Sequence, residues 1–163
     1  MLERKEVIEK MKRYNRTCSI LKEQRLKLRE LEEEKNNYEI QMTSQYGLNN
    51  DIRPKNKTSD KVLNSVIRKE DTDEQLVERI NILKEKIVEK EKEKEFVENF
   101  INALKKSDRE IIVAVYVEGI PINQVIKEVY FKMYDRTCEP KTINARLGKP
   151  IDELIEIYNK ELG

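Results

Sequence analysis

Apolar residues recur at three- and four-residue steps along the first part of the chain. This spacing places them on one face of a helix, so the pattern predicts a long amphipathic helix from about Leu2 to Ser44. Gly47 and the polar residues after it predict the end of this first segment, residues 1–46. The seam of the predicted helix consists of Val7, Met11, Tyr14, Cys18, Leu21, Leu28 and Leu31.

Residues 47–71 are predicted to form a linker, because Gly, Pro, Asn and Lys are frequent in this stretch. Within it, a short helix is predicted over 60–68, with an apolar face too small to be stable alone. In residues 72–106, apolar residues recur with the four-three spacing of a heptad, which predicts a second long helix. Lysines occupy the middle of its seam. That seam consists of Leu76, Ile80, Leu83, Ile87, Lys90, Lys94, Val97, Ile101 and Leu104.

The last segment, residues 107–163, begins with two short amphipathic helices. Ser107 and Glu110 have the spacing of a capping box, which predicts the start of the first helix. Gly119 predicts the break after it, and Pro121 lies where a second helix would begin. The residues expected to be buried in the two helices are Ile111, Ile112, Val115, Tyr116, Ile122, Val125, Ile126 and Val129.

A third short helix is predicted for residues 140–147, because Gly148 and Pro150 follow it directly. All charged residues in this helix and immediately after it are basic. A short helix with polar and basic outward positions is what a helix-turn-helix module needs to enter a DNA groove. A final helix is predicted over 151–162.

The run from Asp108 to Val129, DREIIVAVYVEGIPINQVIKEV, resembles the DREIIxLRYxEGxSxxEIAEEL segment in DNA-binding region four of bacterial sigma factors. Along most of its length, including the linker segment TSDKVLNSVI, the chain is similar to phage late transcriptional activators of the RinA and ArpU type. The resemblance implies a C-terminal sigma-like helix-turn-helix. It also implies a DNA-binding activator of phage or mobile-element genes.

The chain departs from the sigma-like pattern at two positions and in one insertion. Ile126 stands where the family usually has Ala, and Tyr130 stands where a Gly usually ends the second helix. Extra residues around Phe131–Arg136 separate the second helix from the third. Thr142 and Ile143 match the Thr-Val pair of the family's recognition helix.

The basic third helix supplies most of the residues expected to contact DNA. Arg146, which falls where the resembling family is also basic, and Asn144 are expected to approach base edges, because Arg suits guanine and Asn suits adenine. Lys141, Thr142 and Lys149 are better placed for phosphates. The full predicted set of DNA-binding residues is Lys141, Thr142, Asn144, Arg146, Lys149 and Arg136.

The composition favours extended helices over one large core. Charged residues make up 40% of the chain and the hydrophobic set 37%, with no Trp. The predicted fold class is therefore all-α, with long coiled-coil-like helices in a hairpin or a dimer, followed by the helix-turn-helix module. Net charge is +1. Residues 107–163 contain slightly more acidic than basic side chains, so DNA contact would depend on the local basic patch.

Catalytic and metal chemistry find little support in the sequence. The chain has no His and no Gly-rich phosphate loop, so we expect neither an enzyme nor a cofactor. Cys18 and Cys138 lie far apart and are expected to be free thiols. No apolar run approaches the roughly 20 residues that span a membrane. The first residues lack the apolar core of a signal peptide, so we expect a cytoplasmic protein with no membrane contact.

The leading hypothesis is a sequence-specific transcriptional regulator whose partners are double-stranded DNA and RNA polymerase. A homo-oligomer is expected, because a lone pair of helices leaves wide apolar stripes half exposed. One alternative is a phage DNA-packaging subunit similar to a small terminase. Another is a coiled-coil adaptor whose C-terminal module binds protein instead of DNA.

Overall fold

The computed structural model describes residues 1–48 and 60–161, with side chains in 1–37 and 73–161. Every regular element in these ranges is helical, so the all-α prediction is confirmed. The predicted linker lies in part outside the described residues, since 49–59 fall between the two ranges. The described chain divides into two compact units, Met1–Ile20 with Lys90–Gly163 and Leu21–Glu89. They are called the first unit and the second unit below.

Two long helices occupy most of the chain. Helix α1 spans Arg4–Leu48 and helix α2 spans Asp60–Ala103. The prediction of a separate short helix over 60–68 was wrong, because α2 is continuous from Asp60. No Gly or Pro occurs within α2, so its polar stretch near residue 70 contains no residue that would break a helix. Helix α1 includes Gly47 and extends to Leu48, directly before the polar residues that were predicted, with Gly47, to end it.

In the first unit, α1 and α2 contribute side chains to a core that they share with the C-terminal helices. Val7 and Met11 from α1 and Val97 from α2 lie in this core, as the seams predict. Phe100 is fully buried beside them although the predicted seam did not include it. The buried residues of this core are Val7, Met11, Val97, Phe100, Leu104, Ile111, Ile112, Ala114, Val125, Ile126, Tyr130, Ile143, Leu147, Ile151 and Ile155.

In the second unit, the same two helices pack together within the chain. Leu31 of α1 lies against Leu76 and Ile80 of α2, with all three side chains buried. Nζ of Lys84 lies 2.9 Å from a carboxylate oxygen of Glu32. The predicted seams therefore meet inside one chain, as a helical hairpin requires.

Helix α3 consists of an α-helical part, Lys106–Ile112, and a π-helical turn, Val113–Val117. Its N-cap is Lys105, which makes no side-chain capping bond, so the predicted capping box at Ser107 was wrong. The guanidinium of Arg109 instead donates to the backbone carbonyls of Asn102 and Leu104, at 2.7 and 3.2 Å. The connection between α2 and α3 is thus fixed by carbonyls at the end of α2.

The break after α3 is the predicted one, at Gly119. This residue has φ of 71°, a left-handed conformation that Gly adopts without steric cost. The N–H of Ile120 donates to the carbonyl of Ala114 at 2.8 Å, which satisfies a carbonyl at the end of the helix. The chain then passes through Pro121, the N-cap of the next helix.

Helix α4 is longer than the family pattern implies. It comprises Ile122–Val125, a π-helical turn Ile126–Tyr130 and a last α-helical turn Phe131–Tyr134. Phe131–Tyr134 therefore extend the helix by about one turn, and Asp135 and Arg136 belong to the connection that follows it. Asp135 ends α4 in the left-handed region, with φ of 51°, which Asp tolerates better than most residues.

Helix α5 spans Pro140–Glu161 without interruption. The prediction of two helices separated by Gly148 and Pro150 was wrong. Pro150 lies inside the helix, where it lacks the N–H that would bond the carbonyl four residues earlier. Ile143, Leu147, Ile151 and Ile155 lie along one buried stripe on both sides of this point, which favours a continuous helix over a break.

Candidate nucleic-acid interface

The first half of α5 is anchored by its apolar side chains. Ile143 and Ile151 are fully buried and Leu147 is 4% exposed, all within the core of the first unit. These residues recur at four-residue intervals and fix which side of the helix faces α3 and α4. The opposite side of α5 is consequently held toward solvent.

The exposed face of α5 carries three of the predicted DNA-binding residues. Lys141, Asn144 and Lys149 are all exposed. Ala145 is exposed too, and it lies four residues from each of the two lysines. The Lys149 side chain is 81% exposed, with its Nζ 3.9 Å from a carboxylate oxygen of Glu153. An ion pair this long and this open to water leaves the ammonium group available to another anion.

Two further predicted residues lie beside this face. Arg136 is exposed in the connection between α4 and α5. Thr142 is half-buried in the first turn of α5, and its N–H donates to the carbonyl of Glu139 at 2.9 Å. The structure therefore brings Arg136 and Thr142 to the same end of α5 as Lys141.

Arg146, the sixth predicted residue, is directed into the module. Its Nη1 donates to the Tyr134 hydroxyl at 2.6 Å and lies 3.5 Å from a carboxylate oxygen of Asp108. Its Cζ also lies 4.8 Å from the centroid of the Tyr134 ring and 5.8 Å from that of Tyr130. One guanidinium thus joins α3, α4 and α5, with the side chain 30% exposed.

Cys138 lies next to this cluster and is a free, half-buried thiol, as predicted. Burial raises the pKa of Cys138, although the positive charges of Arg146 and Arg136 act in the opposite direction. The Cys138 side chain packs against the core of the first unit, and the protonated thiol is the inert form of cysteine.

The beginning of α1 also reaches α5, which the sequence pattern did not indicate. The N–H of Leu2 donates to Oδ1 of Asn159 at 2.7 Å, and Nδ2 of Asn159 donates to the carbonyl of Leu2 at 3.1 Å. Nη1 of Arg4 lies 3.2 Å from Oδ2 of Asp152. A basic residue far from α5 in sequence thereby lies on α5.

A groove of about 390 Å³ between α1 and α2 in the first unit is a weaker candidate. Its charges largely pair with one another, as in Lys10 with Glu6 at 2.7 Å and Lys90 with Glu93 at 2.8 Å. The groove also contains none of the residues that the sequence predicts to bind DNA, all of which lie on α5 or just before it.

At the wall of this groove, the Tyr14 hydroxyl donates to Oε1 of Glu98 at 2.7 Å. This bond raises the pKa of Tyr14, because losing the proton would place two negative charges side by side. The same bond, with the Lys94 ammonium group 3.4 Å away, lowers the pKa of Glu98. The pair links α1 to α2 and is a structural contact.

Two further kinds of site are absent from the described residues. Within 1–48 and 60–161, no helix is both long and apolar enough to cross a membrane. Among the side chains that the structure describes, in 1–37 and 73–161, no group of three Cys, Asp or Glu could hold a metal ion. No protein-family model, curated protein or solved structure matches the chain.

Proposed function

We propose that this protein is a sequence-specific DNA-binding transcriptional regulator that contacts double-stranded DNA through the exposed face of α5. The observation that carries the proposal is the division of α5 into two faces. Its buried side fixes the helix through Ile143 and Leu147, while Lys141, Asn144 and Lys149 face solvent. This is the arrangement by which a helix-turn-helix module presents one helix to a DNA groove.

The charges on α5 indicate which part of the helix approaches DNA. No acidic residue occurs between Lys141 and Lys149, whereas Asp152 and Glu153 follow in the next turn. Phosphates are attracted to the lysines and repelled by the two carboxylates. The first turns of α5 therefore enter the groove, and the turns of the helix after Glu153 lie away from the duplex.

The exposed residues divide by chemistry into two roles. Lys141, Lys149 and Arg136 contact phosphates, with Thr142 as a hydroxyl donor at the same end of the helix. Asn144 reads a base, since its amide both donates and accepts and so matches the major-groove edge of adenine.

Arg146 has a positioning role in this proposal. Its bond to Tyr134 and its ion pair with Asp108 occupy the guanidinium inside the module. Reading a base would require Arg146 to give up these contacts. It sets the angle of α5 relative to α3 and α4, and Asn144 carries the base contact that remains.

The long helices supply protein contacts in the proposed regulator. Leu26, Ile82 and Val88 in the second unit are between 44% and 60% exposed, which is high for large apolar side chains. Such residues suit a homo-oligomer or a contact with RNA polymerase. With the sigma-like pattern of Asp108–Val129, this arrangement supports an activator of phage or mobile-element genes that acts in the cytoplasm.

The proposal is tested by titrating random duplex DNA with the protein at several salt concentrations. We expect Lys141→Ala to weaken binding to every duplex and to reduce the salt slope by about 0.9, because one phosphate contact is lost. Lys160→Ala is the matched control, as Lys160 is an exposed lysine in the last turn of the same helix. Its slope should equal that of the wild type.

Two results would contradict the proposal. If the wild type shows no salt-dependent affinity for duplex DNA, the module binds something else, as in the adaptor alternative. If Lys141→Ala and Lys160→Ala lose affinity equally, the contact is a diffuse charge effect and α5 does not enter a groove. The small terminase-like alternative requires assembly into a ring, so light scattering that shows a dimer would argue against that alternative.

A further inference from the structure

We infer that Arg4, at the start of α1, is a phosphate-contacting residue of the DNA interface, held in place by Gly148 and Asp152 of α5. The inference rests on the proposed function and extends its binding surface to a second helix. Three independent features of the first unit support it: the space above Gly148, the strip of α5 on which Arg4 lies, and the exposed ion pair that holds Arg4.

Gly148 provides the space that Arg4 occupies. A Cβ atom at this position would lie 2.8 Å from Nη2 and 3.3 Å from both Nη1 and Cζ of Arg4. The guanidinium therefore lies directly against the backbone of α5, closer than any residue with a side chain would allow. Gly148 is buried for this reason, although it lies at the edge of the exposed face.

The position of Gly148 on α5 places Arg4 next to the proposed DNA-contacting residues. Lys141, Asn144, Gly148 and Asp152 follow one another at intervals of three and four residues, which is the spacing of one strip along a helix. Lys141 and Gly148 are roughly 10 Å apart along the axis at the rise of an α-helix. Arg4 thus adds a positive charge to the strip at a position where α5 itself has no side chain.

The ion pair between Asp152 and Arg4 is weak enough for a DNA phosphate to replace the carboxylate. Nη1 of Arg4 lies 3.2 Å from Oδ2 of Asp152, and the side chains are 46% and 50% exposed. An ion pair this exposed is weak, whereas Arg binds phosphate with two parallel hydrogen bonds. On contact with DNA, the guanidinium exchanges the Asp152 carboxylate for a phosphate, or contacts both through different N–H groups.

The nearby contacts of α1 keep Arg4 at this place. Leu2 makes two backbone hydrogen bonds with the side chain of Asn159, and Val7 is fully buried in the core. Arg4 lies between these two anchors. Its backbone is therefore fixed before DNA arrives, which lowers the entropic cost of a phosphate contact.

The test compares Arg4→Ala with Lys5→Ala in the same salt titration of random duplex. Lys5 is an exposed basic residue one position along α1, so the two variants lose the same charge. We expect Arg4→Ala to lower affinity by roughly five- to tenfold at about 0.1 M salt and to reduce the salt slope by about 0.9. Lys5→Ala should change affinity less than about twofold, since no positioned contact is lost.

Gly148→Ala provides a second test that leaves the net charge unchanged. The added methyl group meets the mobile end of the Arg4 side chain, so it displaces the guanidinium and leaves α5 in place. We expect the same loss of affinity and of salt slope as for Arg4→Ala. The far-ultraviolet circular dichroism spectrum should match that of the wild type.

The outcomes separate this inference from the proposed function. If Lys141→Ala weakens binding but Arg4→Ala and Lys5→Ala have equal effects, α5 binds DNA and Arg4 has no place in the interface. If Gly148→Ala binds DNA as the wild type does, the contact with the α5 backbone does not position Arg4 for a phosphate. If the wild type has no salt-dependent affinity, the proposed function fails and this inference fails with it.

Discussion

Arg146 joins three helices of the first unit through a single guanidinium group. The bond to the Tyr134 hydroxyl is short, at 2.6 Å, and the same side chain lies over two tyrosine rings. A hydrogen bond to a charged donor contributes more than a neutral one, because the alternative leaves a partly buried cation with fewer partners. We therefore expect the main role of Arg146 to be in the stability of the first unit and not in direct contact with DNA.

We expect Arg146→Ala to lower the free energy of unfolding by about 2 kcal/mol and Tyr134→Phe by about 1 kcal/mol. The first loses the bond, the ion pair and the contact with the rings, while the second loses the bond alone. Urea unfolding followed by circular dichroism measures both. Lys132→Ala, at an exposed position of α4, is the control and should stay within about 0.5 kcal/mol of the wild type.

An unchanged unfolding midpoint for Arg146→Ala, together with a loss of preference for a selected DNA site, would restore Arg146 as a base reader. The sequence predicted a basic recognition helix but not this role. The charge of Arg146 is visible in the sequence, whereas its partners Asp108 and Tyr134 lie 38 and 12 residues away. The spacing of Ile143 and Leu147 indicates which face of α5 is buried, but not which partners the Arg146 side chain contacts.

At the scale of elements, the contact between Tyr14 and Glu98 gives the pairing of α1 with α2 a pH dependence. The hydrogen bond from Tyr14 lowers the pKa of Glu98 below its ordinary value of 4.5. The unfolded chain therefore binds more protons than the folded chain in acid. The stability from this pair is fully present above about pH 4.5 and is lost as pH falls through the lower folded-state pKa.

We expect the melting temperature of the wild type to fall further between about pH 5 and about pH 3 than that of Glu98→Gln. The corresponding difference in the free energy of unfolding should be at most about 1 kcal/mol, since the Glu98 side chain is 41% exposed. The melting temperature of Tyr14→Phe should depend on pH in the same way as that of Glu98→Gln. Glu156→Gln, at an exposed position of α5, is the control for removing a carboxylate. Parallel melting curves for the wild type and Glu98→Gln would refute this account of the pair.

Periodicity predicted most of the helices, and local breaker residues predicted some of their ends. Gly119 ends α3 as expected, because its left-handed conformation is a property of the residue itself. Gly148 and Pro150 do not end α5, because the buried stripe from Ile143 to Ile155 favours a continuous helix. Packing of this stripe in the core of the first unit overrode the local preference there.

At the scale of the whole molecule, the net charge of +1 does not reveal the uneven distribution of charged side chains on which the proposed function depends. The exposed first turns of α5 are basic, and Arg4 adds a charge to them from α1. The seams of α1 and α2 meet within one chain, which the sequence left open between a hairpin and a dimer. The sequence predicted the all-α class, while the link between α1 and α5 depended on contacts that no local pattern specifies.

The central claim is that duplex DNA binds the exposed face of α5. Backbone amide signals in nuclear magnetic resonance, recorded while random duplex is added at low salt, test this claim directly. We expect the largest shift changes from Lys141 to Lys149 and around Arg4, with little change over residues 21–37. The claim would be contradicted by changes concentrated in 21–37, or by a spectrum that duplex DNA leaves unaltered.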